Sequence, residues 1–282
     1  MRVSIHVTTK DRASELACLL NSLLHQTHKE FDVVLLDDAY GTALSGAFKF
    51  VHDVIGRLRT RGHGVVVLRN EVSYGVCKAR QLLVELDPWK QNPAILRLDD
   101  DQVLEPDYIE RLVHILESRD EFPDCGIATG VTPNLAGPDY HRSIPGSIMN
   151  RIQFDKEGNI KSYADDCGIL YDEHRILPAH QFRSSALMRR EMFERGLEYE
   201  KGLSLTGFRE EAFLSLRARM LGYTCMVDTG AVAWHAPAQS GGCRSQDYET
   251  RVRNDDNAFK KWARKNADAL IKLDPNFMEA TP

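Results

Sequence analysis

The sequence predicts an α/β fold, a mainly parallel sheet sandwiched by helices, and three observations carry the prediction. Over residues 3–116, short apolar segments of strand type alternate with segments whose apolar residues recur every three or four positions. Each of the four apolar segments runs into polar residues: Thr8 and Thr9, Asp37 and Asp38, Arg69 and Asn70, and Asp99 with Asp100 and Asp101. In a parallel sheet these share one edge, the edge at which open α/β sheets bind ligands. At 282 residues and 43% hydrophobic, the chain can bury one large core or two small ones.

Val3, Ile5 and Val7 alternate with polar neighbours, as a strand does. Leu16, Leu19, Leu20, Leu23 and Leu24 follow at helical spacing, with Thr9 or Asp11 placed to cap the helix. Residues 31–36 read as a buried strand ending at Asp37 and Asp38. Residues 64–68 read as another, followed by a helical face of Val76, Ala79, Leu82, Leu83 and Leu86. A fourth strand over 94–98 enters three consecutive aspartates, and Pro106 then opens a helix with Ile109, Leu112, Val113 and Leu116 on one face.

The second half is less regular. Residues 126–131 read as a strand, 135–148 as a long loop, and 152–163 as a hairpin turning at Gly158 and Asn159. A helix over 210–221, with Phe213, Leu216 and Met220 inward, stops at Gly222, and strands over 223–227 and 231–234 follow. From Gln246 an amphipathic helix bearing Phe259 and Trp262 ends the chain. This reading divides the chain into a domain over 1–240, with halves 1–130 and 131–240, and a flexible loop plus C-terminal helix over 241–282.

Composition excludes several classes. Lys and Arg number 36 against 41 Asp and Glu, a formal charge of -5, so there is no basic field to gather nucleic acid. The longest apolar runs, such as 33–36 and 65–68, fall far below the roughly 20 residues of a membrane span. The N-terminus lacks an apolar segment with a small-residue cleavage site, which points to a cytoplasmic address, with membrane contact only at the surface. Six single cysteines without a C-x-x-C pair read as reduced thiols rather than a zinc module or a disulfide framework.

The strongest chemical signal is the acidic run Asp99-Asp100-Asp101 at the end of a buried strand. In extended backbone, residues two apart point the same way, so Asp99 and Asp101 converge on one hard cation, Mn²⁺ or Mg²⁺. Two carboxylates leave coordination sites for phosphate oxygens. The plainer alternative is a solvated loop in which one Asp caps the following helix. An EF-hand is excluded, since its position-six glycine is Leu104 here.

Five segments in order resemble glycosyltransferase family 2, whose members are inverting enzymes of the GT-A fold. They are the run from Val3 to Arg12, Leu36-Asp37-Asp38-Ala39, Arg69-Asn70 with Gly75 and Ala79-Arg80, Leu98-Asp99-Asp100-Asp101, and the run from Arg209 to Arg217. The resemblance covers about residues 1–240, and it makes 1–130 the nucleotide-sugar half and 131–240 the acceptor half. It implies that Asp37 and Asp38 hold the base and ribose of a nucleotide sugar, with Thr8, Lys10 and Arg12 lining the base and Asn70 beside them. Arg80 presents a basic group to the nucleotide, Asp99 and Asp100 reach the donor, and Arg183, next to Ser184, meets the donor sugar or its phosphates.

The resemblance further implies that one carboxylate of Glu210-Glu211 is the general base, Glu211 first and Glu210 in reserve. The alternative is that both merely complement a helix dipole. It makes His235 a third metal ligand beside Asp99 and Asp101, and Arg244, in a glycine-rich flap, a contact to the diphosphate. Lys78 reads as a surface cation. Trp89, Trp234 and Trp262 are either sugar-stacking or core residues.

The expectation is therefore a metal-dependent inverting transfer from a nucleoside diphosphate sugar, UDP before GDP, to a hydroxyl of a glycan, a lipid-linked glycan or a small molecule. Oligomeric state is left open. A nucleotidyltransferase is the first rival, but residues 5–12 lack the glycine-rich loop it needs. A noncatalytic carbohydrate-binding module is the second, and it predicts binding indifferent to chelator.

Overall fold

A computed structural model describes residues 1–38, 49–137, 141–238, 240–243 and 247–278. The chain runs β1 (Val3–Thr9), α1 (Ala13–Leu24), β2 (Phe31–Asp37), α2 (Lys49–Thr60), β3 (Val65–Arg69), α3 (Val76–Leu86), β4 (Ala94–Asp99), β5 (Gln102–Leu104), α4 (Tyr108–Glu117) and β6 (Cys125–Val131). It continues through β7 (His141–Arg142), β8 (Ile152–Phe154), β9 (Ile160–Tyr163), β10 (Leu170–Tyr171), β11 (Ile176–Ala179), β12 (Ala186–Arg189), α5 (Arg190–Glu194), α6 (Glu210–Met220), β13 (Thr224–His235) and α7 (Tyr248–Leu273).

The main sheet has the order β11-β13-β6-β12-β4-β1-β2-β3, with β5 paired to β13. The run β3-β2-β1-β4 is parallel throughout, as the alternation of strands and helices requires. Beyond β4 the sheet is mixed: β12 lies antiparallel between β4 and β6, and β13 runs parallel to β6. Alternate residues of β2 divide the packing, because successive side chains of a strand face opposite ways. Val33 and Leu35 join α1, α2 and α4 in one core, while Val34 and Leu36 meet Ala79 and Leu83 of α3 on the other face. A further core joins α6 to α7 through Phe213, Leu216, Phe259, Ala263 and Phe277.

Several sequence expectations need correction. Helix α1 has Arg12 at its N-cap with no side-chain capping bond. Thr9 donates instead to Asp100, and Asp11 has a φ of 55°. Pro106 precedes the α4 N-cap, Asp107, rather than opening the helix itself. Helix α2 and strands β11 and β12 carry no sequence assignment above. The two strands expected over 223–227 and 231–234 are one long strand, Thr224–His235, with a register shift between Val227 and Val232. Met220 is 41% exposed, since α6 ends there and Gly222, at a φ of 92°, turns the chain away. All six cysteines are free thiols, and no described helix is long and apolar enough to cross a membrane.

Away from the polar strand ends, a buried cluster ties α5 to β1 and to the chain between α3 and β4. Arg190, the first residue of α5, donates to Asp87, to the Ser4 hydroxyl at 3.1 Å and to the Asn92 carbonyl at 2.6 Å. His6 lies 3.1 Å from the same carboxylate. Burial alone would raise the Asp87 carboxyl, but His6 and Arg190 hold it well below the usual carboxylate range. Burial pushes His6 below its ordinary value. Asp87→Ala leaves Arg190 buried without its anion and is expected to cost about 3–5 kcal/mol, measured by urea unfolding. A loss under about 1 kcal/mol, the scale of an exposed ion pair, would show that this cluster does not hold α5 to the sheet.

Candidate active site

A cleft of about 430 Å³ opens at the carboxyl ends of β1, β2 and β4. One wall carries Thr8, Thr9, Lys10 and Arg12 after β1, Asp38 after β2, and Arg80 on α3. The opposite wall carries Tyr163, Gln181–Ser184 and the stretch from Thr206 to Glu211, with His235 at one end.

The acidic run does not stay extended. Strand β4 ends at Asp99, the chain turns at Asp100 and Asp101, and Gln102 begins β5, which pairs Gln102 with His235 of β13. The two-residue alternation that was to bring Asp99 and Asp101 to one point is broken by this turn. Asp101 goes instead to His235, with Oδ2 and Nε2 3.6 Å apart. Asp99 forms an ion pair with Arg80. The His235 backbone is pinned on each side, its N–H donating to Pro133 O and Ala236 N–H to Asp101 O, both at 2.8 Å. Among the described residues, no group of three or more His, Cys, Asp or Glu is arranged to hold a metal.

Arg12 Nη1 bridges Asp100 Oδ1 at 3.0 Å and Asp101 Oδ2 at 2.9 Å. Burial pushes Asp100 up to about 6, opposed by Arg12 and reinforced by the Asp101 charge. For Asp101, burial is outweighed by His235 and Arg12, and its carboxyl is held low.

The second acidic group centres on two buried arginines. Arg80 pairs with Glu210 as well as Asp99, and Arg97 Nη2 lies 2.6 Å from Glu210 and 3.1 Å from Glu211. Arg97 is 2% exposed, in mid-β4, with its guanidinium 5.0 Å from the Phe182 ring centre. Two guanidiniums thus face three carboxylates, and the most deeply buried of the three is Glu210, whose side chain is 2% exposed. Burial pushes it up to about 7 against the pull of Arg80 and Arg97. The Glu211 side chain is 28% exposed; burial would raise it too, but Arg97 and Arg80 hold it below its ordinary value.

Sequence reasoning missed Arg97. The available signal was a cation in an otherwise apolar strand, two residues before Asp99 and so on the same face. It also missed Tyr163 and Arg209, which stack with the guanidinium carbon 3.7 Å from the ring centre.

Other expected residues divide. Asp38 reaches the cleft, but its carboxylate accepts from Asn70 Nδ2 (2.8 Å), Ser73 Oγ (2.7 Å) and the Tyr74 and Gly75 N–H groups (both 3.0 Å). It ties β2 to the loop before α3, and Asn70 serves the same tie. Asp37 is buried in β2 and does not line the cleft. Arg183 lines the cleft paired with Asp165, and Ser184 beside it has a φ of 56°. Lys78 is exposed. Arg244, and the segment 39–41 after the paired aspartates, lie outside the described residues. None of the tryptophans lines the cleft; the Trp234 indole donates to Glu105 at 2.7 Å.

Comparison with known proteins gives a consistent picture. The family described as Glycosyl transferase family 2 matches residues 4–197. No curated protein sequence matches the chain. Among solved structures, S. aureus TarS 1–349 aligns at 17% identity and a TM-score of 0.56, over 84% of this chain and 60% of its own. The same fragment with UDP-GlcNAc aligns at 14% identity and 0.58, over 98% and 78%. GalNAc-T7, solved with UDP, GalNAc and Mn²⁺, aligns at 15% identity and 0.64, over 86% of this chain and 45% of its own. The chain thus spans less than two thirds of several of the proteins it resembles, and the likeness is one of fold.

The burial of Glu210 has a thermodynamic sign. Its carboxyl holds a proton up to about 7 in the folded chain against an ordinary value of 4.5, so the stability gained from that proton is lost as pH rises through this window. Asp100 acts in the same sense. Glu210→Gln carries no charge at any pH. Between about pH 5 and about pH 8 it is expected to gain on the wild type by on the order of 2 kcal/mol in urea unfolding. A difference that does not change with pH would contradict the arrangement.

Proposed function

Because the chain belongs to glycosyl transferase family 2, we propose that it moves one sugar from a nucleoside diphosphate donor to an acceptor hydroxyl, with inversion at the anomeric carbon. One observation carries this reading: a single cleft sets Asp101 and His235 beside Arg12, and faces them with a carboxylate pair at the start of α6. The GT-A fold supplies the frame, with 1–130 as the nucleotide-sugar half and 131–240 as the acceptor half. A UDP-sugar is the favoured donor, since TarS and GalNAc-T7 were each solved with UDP or a UDP-sugar; a GDP-sugar comes next.

The donor set at one end of the cleft fits a divalent cation of the Mn²⁺ or Mg²⁺ class. Asp101 offers a hard, ionised carboxylate and His235 an imidazole nitrogen, 3.6 Å apart and both lining the cleft. Asp101 and His235 would hold the ion, since they already lie side by side, while Asp99 is turned towards Arg80. When bound, such an ion neutralises charge developing on the departing diphosphate.

The remaining work falls to the chain's own side chains. Lys10 and Arg12 present positive charge at the same end of the cleft, suited to phosphate oxygens. Glu211, ionised because Arg97 and Arg80 stabilise its charge, takes the proton from the acceptor hydroxyl as that oxygen attacks the anomeric carbon. Attack from the face opposite the diphosphate is one displacement and inverts the centre. Arg97, 3.1 Å from Glu211 Oε1, aims the base. Glu210, buried between both arginines, keeps Arg97 in place.

The test is a thermal-shift screen of UDP-, GDP- and dTDP-sugars with and without Mn²⁺, because a ligand that binds only the folded chain raises its melting temperature. A UDP-sugar is expected to give the largest rise, dependent on Mn²⁺, and Asp101→Asn to abolish that dependence. Glu211→Gln is expected to keep the shift while turnover falls ~10²–10⁴-fold. No shift with any donor overturns the reading in favour of a binding module, and full turnover in Glu211→Gln overturns the assignment of Glu211 as the base.

A further inference from the structure

The two glutamates that open α6 stand on a segment with no capping side chain of its own. Arg209, the N-cap residue, has a φ of 70° and makes no side-chain capping bond. What fixes the segment comes from α7, beyond the stretch matched to the family.

Asp255 lies one helical turn before Phe259 on the buried stripe of α7, a charge where the pattern calls for an apolar residue. Its carboxylate accepts the Ser204 N–H at 2.7 Å, the Ser204 hydroxyl at 2.8 Å and the Phe208 N–H at 3.0 Å. The loop over 204–208 therefore wraps one anion, helped by Gly207 at a φ of 65°. The next residue of α7, Asp256, takes Arg209 Nε at 2.8 Å, while Tyr163 stacks on the same guanidinium. Glu210 N–H then donates to Gly207 O at 3.1 Å. Thr206, Gly207, Phe208, Arg209, Glu210 and Glu211 all line the cleft.

We propose that Asp255 and Asp256 are positioning residues: α7 sets the backbone from which Glu210 and Glu211 reach the cleft, and the C-terminal helix is thereby part of the active site. Asp255 holds the loop before the pair through its N–H groups. Asp256 holds Arg209 in a left-handed conformation that a non-glycine residue adopts only when its surroundings enforce it. The assignment of turnover rests on the glycosyl-transfer reading; the mechanical claim does not.

The experiment uses the full chain and the variants Asp255→Asn, Asp256→Ala and Asp256→Glu, with the UDP-sugar selected by the screen above plus Mn²⁺. Asp255→Asn and Asp256→Ala are expected to lower kcat ~10–100-fold, because a base displaced by about 1 Å loses its reach. KM for the donor stays within about twofold, since neither residue lies on the nucleotide side. Asp256→Glu, which can still pair with Arg209, recovers most of the loss. Amide hydrogen exchange gives an activity-independent reading: residues 204–211 exchange about tenfold faster or more in Asp255→Asn, with β1 and β4 unchanged.

Unchanged exchange and unchanged kcat overturn the proposal, as does a rise in KM with kcat intact. If the wild type turns over no donor, the transfer reading fails and exchange alone decides the mechanical claim. If Asp255→Asn does not fold, Asp256→Ala and its glutamate partner carry the same comparison.

Discussion

Two guanidiniums and three carboxylates share a space that water barely reaches, and the placement of three secondary elements follows from how they pair. Arg80 comes from α3, Arg97 and Asp99 from β4, and Glu210 and Glu211 from the first turn of α6. Breaking a buried pair leaves an unsolvated charge, so these elements are tied as a unit rather than by independent contacts. The tie is asymmetric in burial: Glu211, partly open to the cleft, keeps its charge, and Glu210, fully enclosed, holds a proton to about 7. Adjacent glutamates on one helical turn thus have different chemistry, set by how far each is withdrawn from water.

Backbone strain gathers around the same cleft. Asn150, Ser184 and Arg209 have φ values of 46°, 56° and 70°, and all three line it. Such conformations cost on the order of 1–3 kcal/mol each and persist only where neighbours over-determine them. Asn150 is held by its own amide: Oδ1 accepts the N–H groups of Asp166 at 2.8 Å and Cys167 at 3.1 Å, and Nδ2 donates to Gln181 O at 3.0 Å. Arg209 is held by Tyr163 and Asp256.

The parallel half was legible because each strand there is a short, mostly apolar segment with a polar end, and each helix after β1, β3 and β4 has a clear apolar stripe. Strands β11 and β12 were not, since such short segments take their structure from partners distant in sequence, whereas α2 carries a readable stripe, Val51, Val54, Ile55 and Leu58, that sequence reasoning missed. At the site, the residue types were readable but the geometry was not. Asp99 and Asp101 look equivalent until the turn into β5 sends one to Arg80 and the other to His235. Asp38 looks like a ligand-facing acid until four donors from its own chain are counted on it. Arg97 and Asp255 were visible as charges on apolar faces, a signal that needs a structure to name the partner.

The position of β12 governs the order in which this molecule can be assembled. Strand β12 lies antiparallel between β4 and β6, although both neighbours precede it in the chain. As the polypeptide leaves the ribosome, β4 presents a bare edge until Ala186–Arg189 arrives to fill it, and β6 waits beside the gap. Until then the hydrogen-bonding groups along that edge of β4 have no strand of this sheet to pair with.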